Sequence, residues 1–569
     1  MDMERPLSAN ERIKGDSNFL RGTIADGLTR AETGALSDND TQLTKFHGIY
    51  QQDDRDLRAE RGKQRMEKAF IFMARLRVPG GVLTPAQWLA AEKVALERGN
   101  GTLRLTTRQT IQFHGILKGN LRPLMQGLHD VKLDTIAACG DVNRNVIATV
   151  DPWHEKHAEI AALAQAISTH LRPRTRAWHE IWVGEEQVAG GVEEDEPIYG
   201  RTYMPRKFKI AIVLPPHNDV DVFAHDLGFI AVQENGRIVG YNVAVGGGMG
   251  MTHGEPDTYP RGGDVIGFCT PDQVLNVAEM TVTLQRDFGD RSDRKHARLK
   301  YTIDRMGLDR FVALLNERVK VTLGDARPYA FASTGDRFGW TESSNGLSHF
   351  TLFVENGRVR DLPDRRLLTG LRAIAELGVG RFFITTNQNL VLADIPADSR
   401  STVEGLLLAH GLDTPVSGLR RNAMACVALP TCGLALAESE RYLPSLLTRL
   451  EGELDRYGLR EDDITIRMTG CPNGCARPYL SEIGLVGRTP GIYNLYLGGA
   501  LEGSRLNKLY QRDLDDDGIV AALAPLFESY AKDRQDGERF GDFILRTGIV
   551  QATRTGLDFH ENLRPELRS

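Results

Sequence analysis

An internally duplicated α+β fold is what this 569-residue sequence predicts. Two repeats and one exclusion carry that reading. Residues 70–116 (FIFMARLRVPGG…LRLTTRQTIQFHGI) and 350–396 (FTLFVENGRVRD…RFFITTNQNLVLADIP) share one layout: an apolar strand, a Gly-containing turn, a helical stretch and another strand, with TTRQ and TTNQ at corresponding places. A second repeat joins PRKFKIAIVLPP (205–216) and GFIAVQENGRIVGYNVAVGG (228–247) with DDITIRMTGCPNG (462–474) and EIGLVGRTPGIYNLYLGG (482–499), both halves carrying YN-x3-GG. The exclusion is a parallel dinucleotide-binding sheet, because GGGMG at 246–250 lacks the G-x-G-x-x-G spacing that opens a helix.

Taken in order, residues 1–65 are polar, precede the first repeat and are expected to form an extended N-terminal arm. Residues 66–145 and 346–420 hold the first repeat and form two half-domains of one central domain. Residues 146–345 carry RKFK and the hairpin signal Glu234-Asn235-Gly236-Arg237. Residues 421–569 carry four of the six cysteines and form a third domain.

Composition bounds the function. With 41% hydrophobic and 26% charged residues the chain can bury a real core, and its formal net charge of -6 argues against general nucleic-acid binding. No apolar run is long enough to span a membrane, and the N-terminus MDMERPLSANERIKGDS has no apolar stretch to read as a signal peptide. A cytoplasmic protein is expected, and six cysteines in so long a chain suit a reducing compartment.

Four of those cysteines form two close pairs, Cys426-x5-Cys432 in ACVALPTCGLA and Cys471-x3-Cys475 in TGCPNGCARP. Two short loops about forty residues apart can deliver four thiolates to one centre from different directions, as a cubane iron–sulfur cluster requires. Pro472 and Gly474 tighten the second loop. A four-thiolate zinc site stays open at this point, although zinc loops more often show C-x2-C or C-x4-C spacing. Cys139 and Cys269 read as small core residues.

The repeats differ in charge. The first half carries Arg75 and Arg77 before VPGG, Arg104 and Arg108 around LTT, Arg144 in NRNV, and Arg206, Lys207 and Lys209 in PRKFK. The second half is read with Val354, Phe383 and Asn387 opposite Arg75, Arg104 and Arg108, and supplies thiolates instead. Strand alternation puts Lys207 with Lys209, and Arg75 with Arg77, on common faces. Any one arginine is more simply explained by a surface ion pair. Eight cations in strand contexts favour a polyanionic ligand, because guanidinium forks match carboxylates and compact oxyanions.

RLTTRQTIQFHG, NRNV, PRKFK, TTNQN, the C-x5-C loop and TGCPNGC together resemble the siroheme-containing sulfite and nitrite reductases, and the resemblance runs from FHGIYQQDDRDLRAER to the C-terminal FGDF. It implies a duplicated siroheme-reductase fold of three domains around the cofactors, with 146–345 as substrate and siroheme domain and 421–569 as iron–sulfur domain. It implies that Cys426, Cys432, Cys471 and Cys475 hold a 4Fe-4S cluster, with Cys475 bridging to the siroheme iron, and zinc is set aside. Arg104, Arg108 and Arg298 would pair with siroheme carboxylates. Gln112, His114, Thr106, Asn387 and Gln388 sit in the same motifs, as cofactor contacts or as satisfied buried polar groups.

On the substrate side the resemblance places Arg75 and Arg144 as anion clamps and Lys207 and Lys209 as proton donors, since a buried lysine can lose its proton and arginine cannot. The implied activity is six-electron reduction of sulfite to sulfide. Nitrite reduction is the near alternative, disfavoured by Lys209 where nitrite-reducing relatives tend to carry Asn, and a noncatalytic metal-binding scaffold is the distant one. With no flavin or nicotinamide fingerprint in the chain, QQDDRD matches the NADPH-type enzymes and implies a separate flavoprotein reductase partner.

Overall fold

The computed structural model describes residues 5–175, 180–183, 186–190, 193–553 and 556–560. The first repeat folds as the strand Phe70–Arg75, a turn at Pro79–Gly81, the short strand Val82–Leu83, the helix Pro85–Arg98 and the strands Leu103–Leu105 and Ile111–Ile116. The second follows with Ser348–Leu352, Glu355–Gly357, Arg358–Val359, Leu367–Glu376, Arg381–Ile384 and Leu390–Ile395. Thr84 starts the first helix with a reciprocal cap to Gln87 and Pro85 in its first turn. That helix buries Trp88, Ala91, Val94 and Ala95, and Trp88 stacks on Phe382 of the other repeat with ring centroids 4.9 Å apart.

The halves interlock by exchanging strands. Val82–Leu83 pairs with Phe383 and Phe382, and Arg358–Val359 pairs with Arg104 and Leu103, so each five-stranded sheet is closed by a strand from the other half. The crossing requires glycine. Gly81 and Gly357 have φ of 74° and 73°, and a Cβ would lie 2.4 Å from the Ile384 carbonyl or 2.3 Å from that of Leu105. Sheet register also corrects one repeat assignment. Arg75 lies opposite Gln112 and Thr351 opposite Val391, so the counterpart of Arg75 is Thr351, not Val354. The repeats differ in length between turn and corner, a shift that a constant offset hides.

The other repeat forms two five-stranded sheets of identical order. One runs Ile147–Ala148, Ile210–Val213, Leu227–Glu234, Arg237–Val245, Asp264–Cys269; the other Ala423–Ala425, Ile466–Thr469, Ile483–Thr489, Ile492–Leu497, Lys508–Leu514. In each the first three strands are parallel and the last two antiparallel. Asn235 and Gly236, with φ of 50° and 73°, make the hairpin that their sequence signals. Three large apolar cores result, one in the interlocked half-domains and one beside each of these sheets.

At corresponding places, Asp221 and Arg477 take left-handed φ of 48° and 54° before the short helices Val222–Ala224 and Pro478–Leu480. They form a buried ion pair, Arg477 Nε to Asp221 Oδ2 at 2.5 Å, joined by Arg467 Nη1 at 2.7 Å. Arg477 also donates to the carbonyls of Thr107 (3.2 Å) and Thr386 (3.1 Å), the two TT corners.

Residues 5–65 are folded rather than extended. Helices Ala9–Gly15, Ile24–Thr29 and Asp38–Leu43 lead to the strand Ile49–Asp53, which pairs antiparallel with Phe70–Arg75 as the outer strand of the first sheet. Polar contacts hold this segment, among them Lys118 Nζ donating to the carbonyls of Arg30 (2.5 Å) and Thr33 (2.7 Å), which is why it lacks the apolar periodicity that betrays a helix. Among the described residues no helix is long and apolar enough to cross a membrane.

Removing the shared carboxylate by Asp221→Ala would leave two guanidinium groups buried without their partner. The expected cost is about 3–5 kcal/mol in urea denaturation. A loss below about 1 kcal/mol, the worth of an exposed pair, would show that the pair is not structurally important.

Candidate functional site

The cysteine loops converge because of sheet topology. Ala423–Ala425 and Ile466–Thr469 are adjacent parallel strands with Ala425 in register with Met468, so the loops that follow them leave the same edge of the sheet. Gln388 fixes the first strand, its amide donating to the Ala425 carbonyl (3.0 Å) and its oxygen accepting from the Ala425 amide (3.3 Å). Gly470 N donates to Cys426 Sγ at 3.3 Å, and Asn473 Nδ2 to Cys471 Sγ at 3.4 Å. Burial raises the thiol pKa values of Cys426, Cys432 and Cys471, and the neighbouring Cys475 raises each of them further, so all four thiols share one electrostatic neighbourhood. Yet no three His, Cys, Asp or Glu side chains among the described residues gather tightly enough for a single ion. A lone zinc would need them about 2.3 Å from one point. A cubane iron–sulfur cluster is instead held by four Cys thiolates, one to each iron.

Cys475 faces a polar cleft lined also by Thr107, Arg108, Lys207, Lys209, Ala224, His225, Met249, Gly250, Arg298, Asn473, Gly474 and Arg477. Five of these residues are Lys or Arg and none is Asp or Glu. Lys207 and Lys209 precede the strand Ile210–Val213 and reach the cleft on either side of the buried Phe208, while Asp226 accepts from the Lys209 amide at 2.9 Å. Burial, then Arg206 and Arg298, brings Lys207 down to about 7. Burial, then Lys207, holds Lys209 well below the ordinary lysine range. Arg298 is paired with Asp226 at 2.9 Å and Arg477 with Asp221, leaving Arg108, Lys207 and Lys209 with no carboxylate in hydrogen-bonding contact among the described residues.

Arg108 donates through its terminal nitrogens to the carbonyls of Asn145 and Ile210 and contacts His225 Nδ1 at 3.2 Å. Burial, then Arg477, lowers it to about 9, and its Nε is buried with no partner. Thr106 Oγ1 accepts from the Arg108 amide at 3.2 Å and shapes the corner. Arg75 and Arg144 stand one layer back, close enough to depress Arg108 in turn. With its carboxamide oxygen turned inward, Gln112 accepts from Arg75 Nε (3.1 Å) and Nη2 (2.5 Å). Arg144 donates to the carbonyls of Gly140 (2.9 Å) and Ala138 (3.2 Å) and bonds to the Tyr50 hydroxyl.

Other candidates are placed elsewhere. Arg104 is buried against Glu440 and donates to the Ala425 carbonyl at 2.7 Å, which sets it behind the Cys426 loop. His114 lies near it, with its pKa lowered by burial and then by Arg358, and its Nδ1 is buried without a partner. Asn387 binds the Thr334 carbonyl and Asp336, each at 2.9 Å. Arg77 lies beyond the end of its strand and pairs with Asp134 at 2.6 Å, so it does not share a ligand-facing surface with Arg75. Cys139 and Cys269 are buried.

Sequence reading passed over Thr107, His225, Met249, Gly250 and Arg477. Thr107 Oγ1 donates to the Cys475 carbonyl at 3.1 Å. The GGGMG segment is a cleft wall: Lys300 Nζ donates to the Gly248 (3.2 Å) and Gly250 (2.8 Å) carbonyls beneath it. A Cβ at Gly250 would meet the Asn473 carbonyl at 3.2 Å. Its signal was four glycines in five residues, which a close backbone approach requires as well as a nucleotide does. Met251 N donates to the Pro472 carbonyl at 2.9 Å and ties this wall to the second cysteine loop.

A polycarboxylate macrocycle beside a cluster fits this donor set. The cleft offers uncompensated buried cations and the orphaned Arg108 Nε on one wall and the Cys475 thiol on the other. Comparison with known proteins agrees. Residues 63–131 and 342–410 each match the family description "Nitrite/Sulfite reductase ferredoxin-like half domain", and 163–323 match "Nitrite and sulphite reductase 4Fe-4S domain". The chain belongs to the nitrite and sulphite reductase family. Within that family it is 58% identical over 98% of its length, and 93% of the relative's, to the "Sulfite reductase [NADPH] hemoprotein beta-component" of Methylobacterium nodulans. The Anoxybacillus flavithermus protein of the same name is 55% identical, with 98% of each chain covered. Among solved structures, "Structure of Mycobacterium tuberculosis NirA protein" matches with a TM-score of 0.76 and 26% identity over 96% of this chain and 98% of that one.

Lys207 makes the cofactor-free protein pH-sensitive. It titrates at about 7 when folded and at its ordinary 10.5 when unfolded, so between those values the unfolded chain binds more protons and stability rises with pH. In urea denaturation of cofactor-free protein, the change in stability from about pH 7 to about pH 9 should be more positive for wild type than for Lys207→Met. An unchanged slope in the variant would place the titrating group elsewhere.

Proposed function

We propose that this chain is the haemoprotein component of an NADPH-dependent sulfite reductase, reducing sulfite to sulfide with electrons from a separate flavoprotein. One observation carries the reading: Lys207, Lys209 and Arg108 share a cleft with Cys475, so one pocket offers both cations for an anion and a thiol for the cluster. Near-full-length similarity to chains named sulfite reductase hemoprotein beta-component supports it.

Cys426, Cys432, Cys471 and Cys475 would hold the 4Fe-4S cluster, and Arg108, Arg298 and the GGGMG wall would seat the siroheme. When bound, that pair supplies single-electron reduction next to the substrate anion. The chain's own side chains do the rest. Arg75 and Arg144 would add fixed positive charge for the anion from behind the cleft lining, and their positions are set beforehand by Gln112, Tyr50 and backbone carbonyls. Lys207 and Lys209 hold protons where oxygen leaves as water; a lysine with its pKa brought toward neutrality gives up a proton more readily than one in water. The anionic carboxylates of the cofactor would raise both lysines again, keeping them charged until use.

For Arg144→Ala or Lys207→Ala, loss of a charge-assisted contact of about 1.5–3 kcal/mol predicts sulfite turnover lowered by at least about tenfold, with a visible spectrum close to wild type. Turnover with an artificial one-electron donor measures this without the partner. Unchanged turnover would remove the residue from the site, and wild-type protein without siroheme bands would overturn the reading itself.

Lys209→Asn tests the choice of anion. Sulfite carries more charge and one more oxygen than nitrite, so a second ammonium is worth more to it. The kcat/KM ratio of sulfite to nitrite should fall about tenfold, the equivalent of one contact of about 1.4 kcal/mol. An equal loss for both anions would make Lys209 a general proton donor.

A further inference from the structure

The QQDDRD segment is not accounted for by the cleft, and its arginine reaches the other cofactor loop. After the strand Ile49–Asp53, Asp54 caps a single turn, Arg55–Leu57. Asp53 is taken by Arg58 at 2.5 Å and Asp56 by Arg441 at 2.7 Å. Arg55 makes no ion pair among the described residues. Instead its amide donates to the Pro430 carbonyl (3.2 Å), and its Nη1 donates to the carbonyls of Cys432 (3.2 Å) and Ala435 (2.7 Å). One partly buried guanidinium therefore spans the turn that presents Cys432. The segment that supplies it lies almost four hundred residues earlier in the chain.

We propose that Arg55 is a positioning residue for the iron–sulfur cluster, holding the Cys432 turn in place and favouring the cluster's reduced state. The inference rests on the reading that the four cysteines carry that cluster. Reduction adds one electron, with no bond made or broken, to a centre already bound by four anionic thiolates. A fixed positive charge next to one of those thiolates stabilises the more negative product, and hydrogen bonding and charge around the sulfurs are among the terms that set such equilibria. Among the described residues no carboxylate is in ion-pair contact with Arg55, whereas Arg58, three residues on, is paired with Asp53, which attracts Arg55 only at longer range.

The test is a redox titration of purified holoprotein with viologen and dithionite mediators, following the cluster's electron paramagnetic resonance. Arg55→Gln and Arg55→Met should make one-electron reduction less favourable by about tenfold, a shift of 59 mV to lower potential. Arg55→Lys, which keeps the charge, should recover most of that shift. Arg58→Gln should titrate like wild type. Siroheme content should be normal in all four, and chelator should strip the cluster faster from the two uncharged variants. The proposal is overturned if both uncharged variants titrate at the wild-type potential, if Arg55→Lys shifts as far as they do, or if Arg58→Gln shifts equally. Wild-type protein with no cluster signal would instead overturn the functional reading on which the proposal rests.

Discussion

One buried carboxylate, Asp221, organises the centre of the molecule. It accepts from Arg467 and Arg477, and Arg477 in turn binds the backbone of both TT corners. Cys475 lies two residues from Arg477, and its carbonyl is held by Thr107 of one of those corners. The two sheets, the interlocked half-domains and the second cysteine loop therefore meet at a single charged contact. A buried pair of this kind returns little net stability, because desolvation offsets the attraction, but an unpaired partner is costly. What it secures is register: the corners and the cysteine loop are satisfied together in only one arrangement.

Around that point one backbone plan carries two kinds of chemistry. Asp219 stands where the other half has Cys475, each two residues before the left-handed residue, and each has its carbonyl bonded by a corner threonine. Asp226 and Glu482 likewise occupy matching places and accept from the amides of Lys209 and Thr465. Duplication preserved the hydrogen-bonded frame while the side chains diverged into cations on one side and thiolates on the other. The cations are strained by their own company. Burial and mutual repulsion depress Lys207, Lys209 and Arg108 together, a cost that an anionic ligand relieves on binding.

Features set by neighbours in the chain were legible beforehand. The Asn235-Gly236 hairpin, the alternation that buries Phe208 between two cleft lysines, and the cysteine pairs all depend on spacing within a few residues. Features set by distant partners were not. Arg104 and Arg298 have the same composition signal as Arg108, yet Glu440 and Asp226 engage the first two and leave the third with an unpartnered Nε. The arm hid its helices because they are short and held by polar contacts. The true counterpart of Arg75 was hidden by a length difference that only strand register exposes.

By itself, then, the sequence determined the duplicated α+β plan, the two close cysteine pairs and the excess of positive charge in one half, because periodicity, turn chemistry and residue spacing are written locally. The tertiary structure alone decided which cations stay uncompensated, that GGGMG is a cleft wall, and that an arm residue reaches the cysteine loop. The physical reason is that charge compensation and burial depend on distances between segments hundreds of residues apart, and those distances are set by the packing of the sheets.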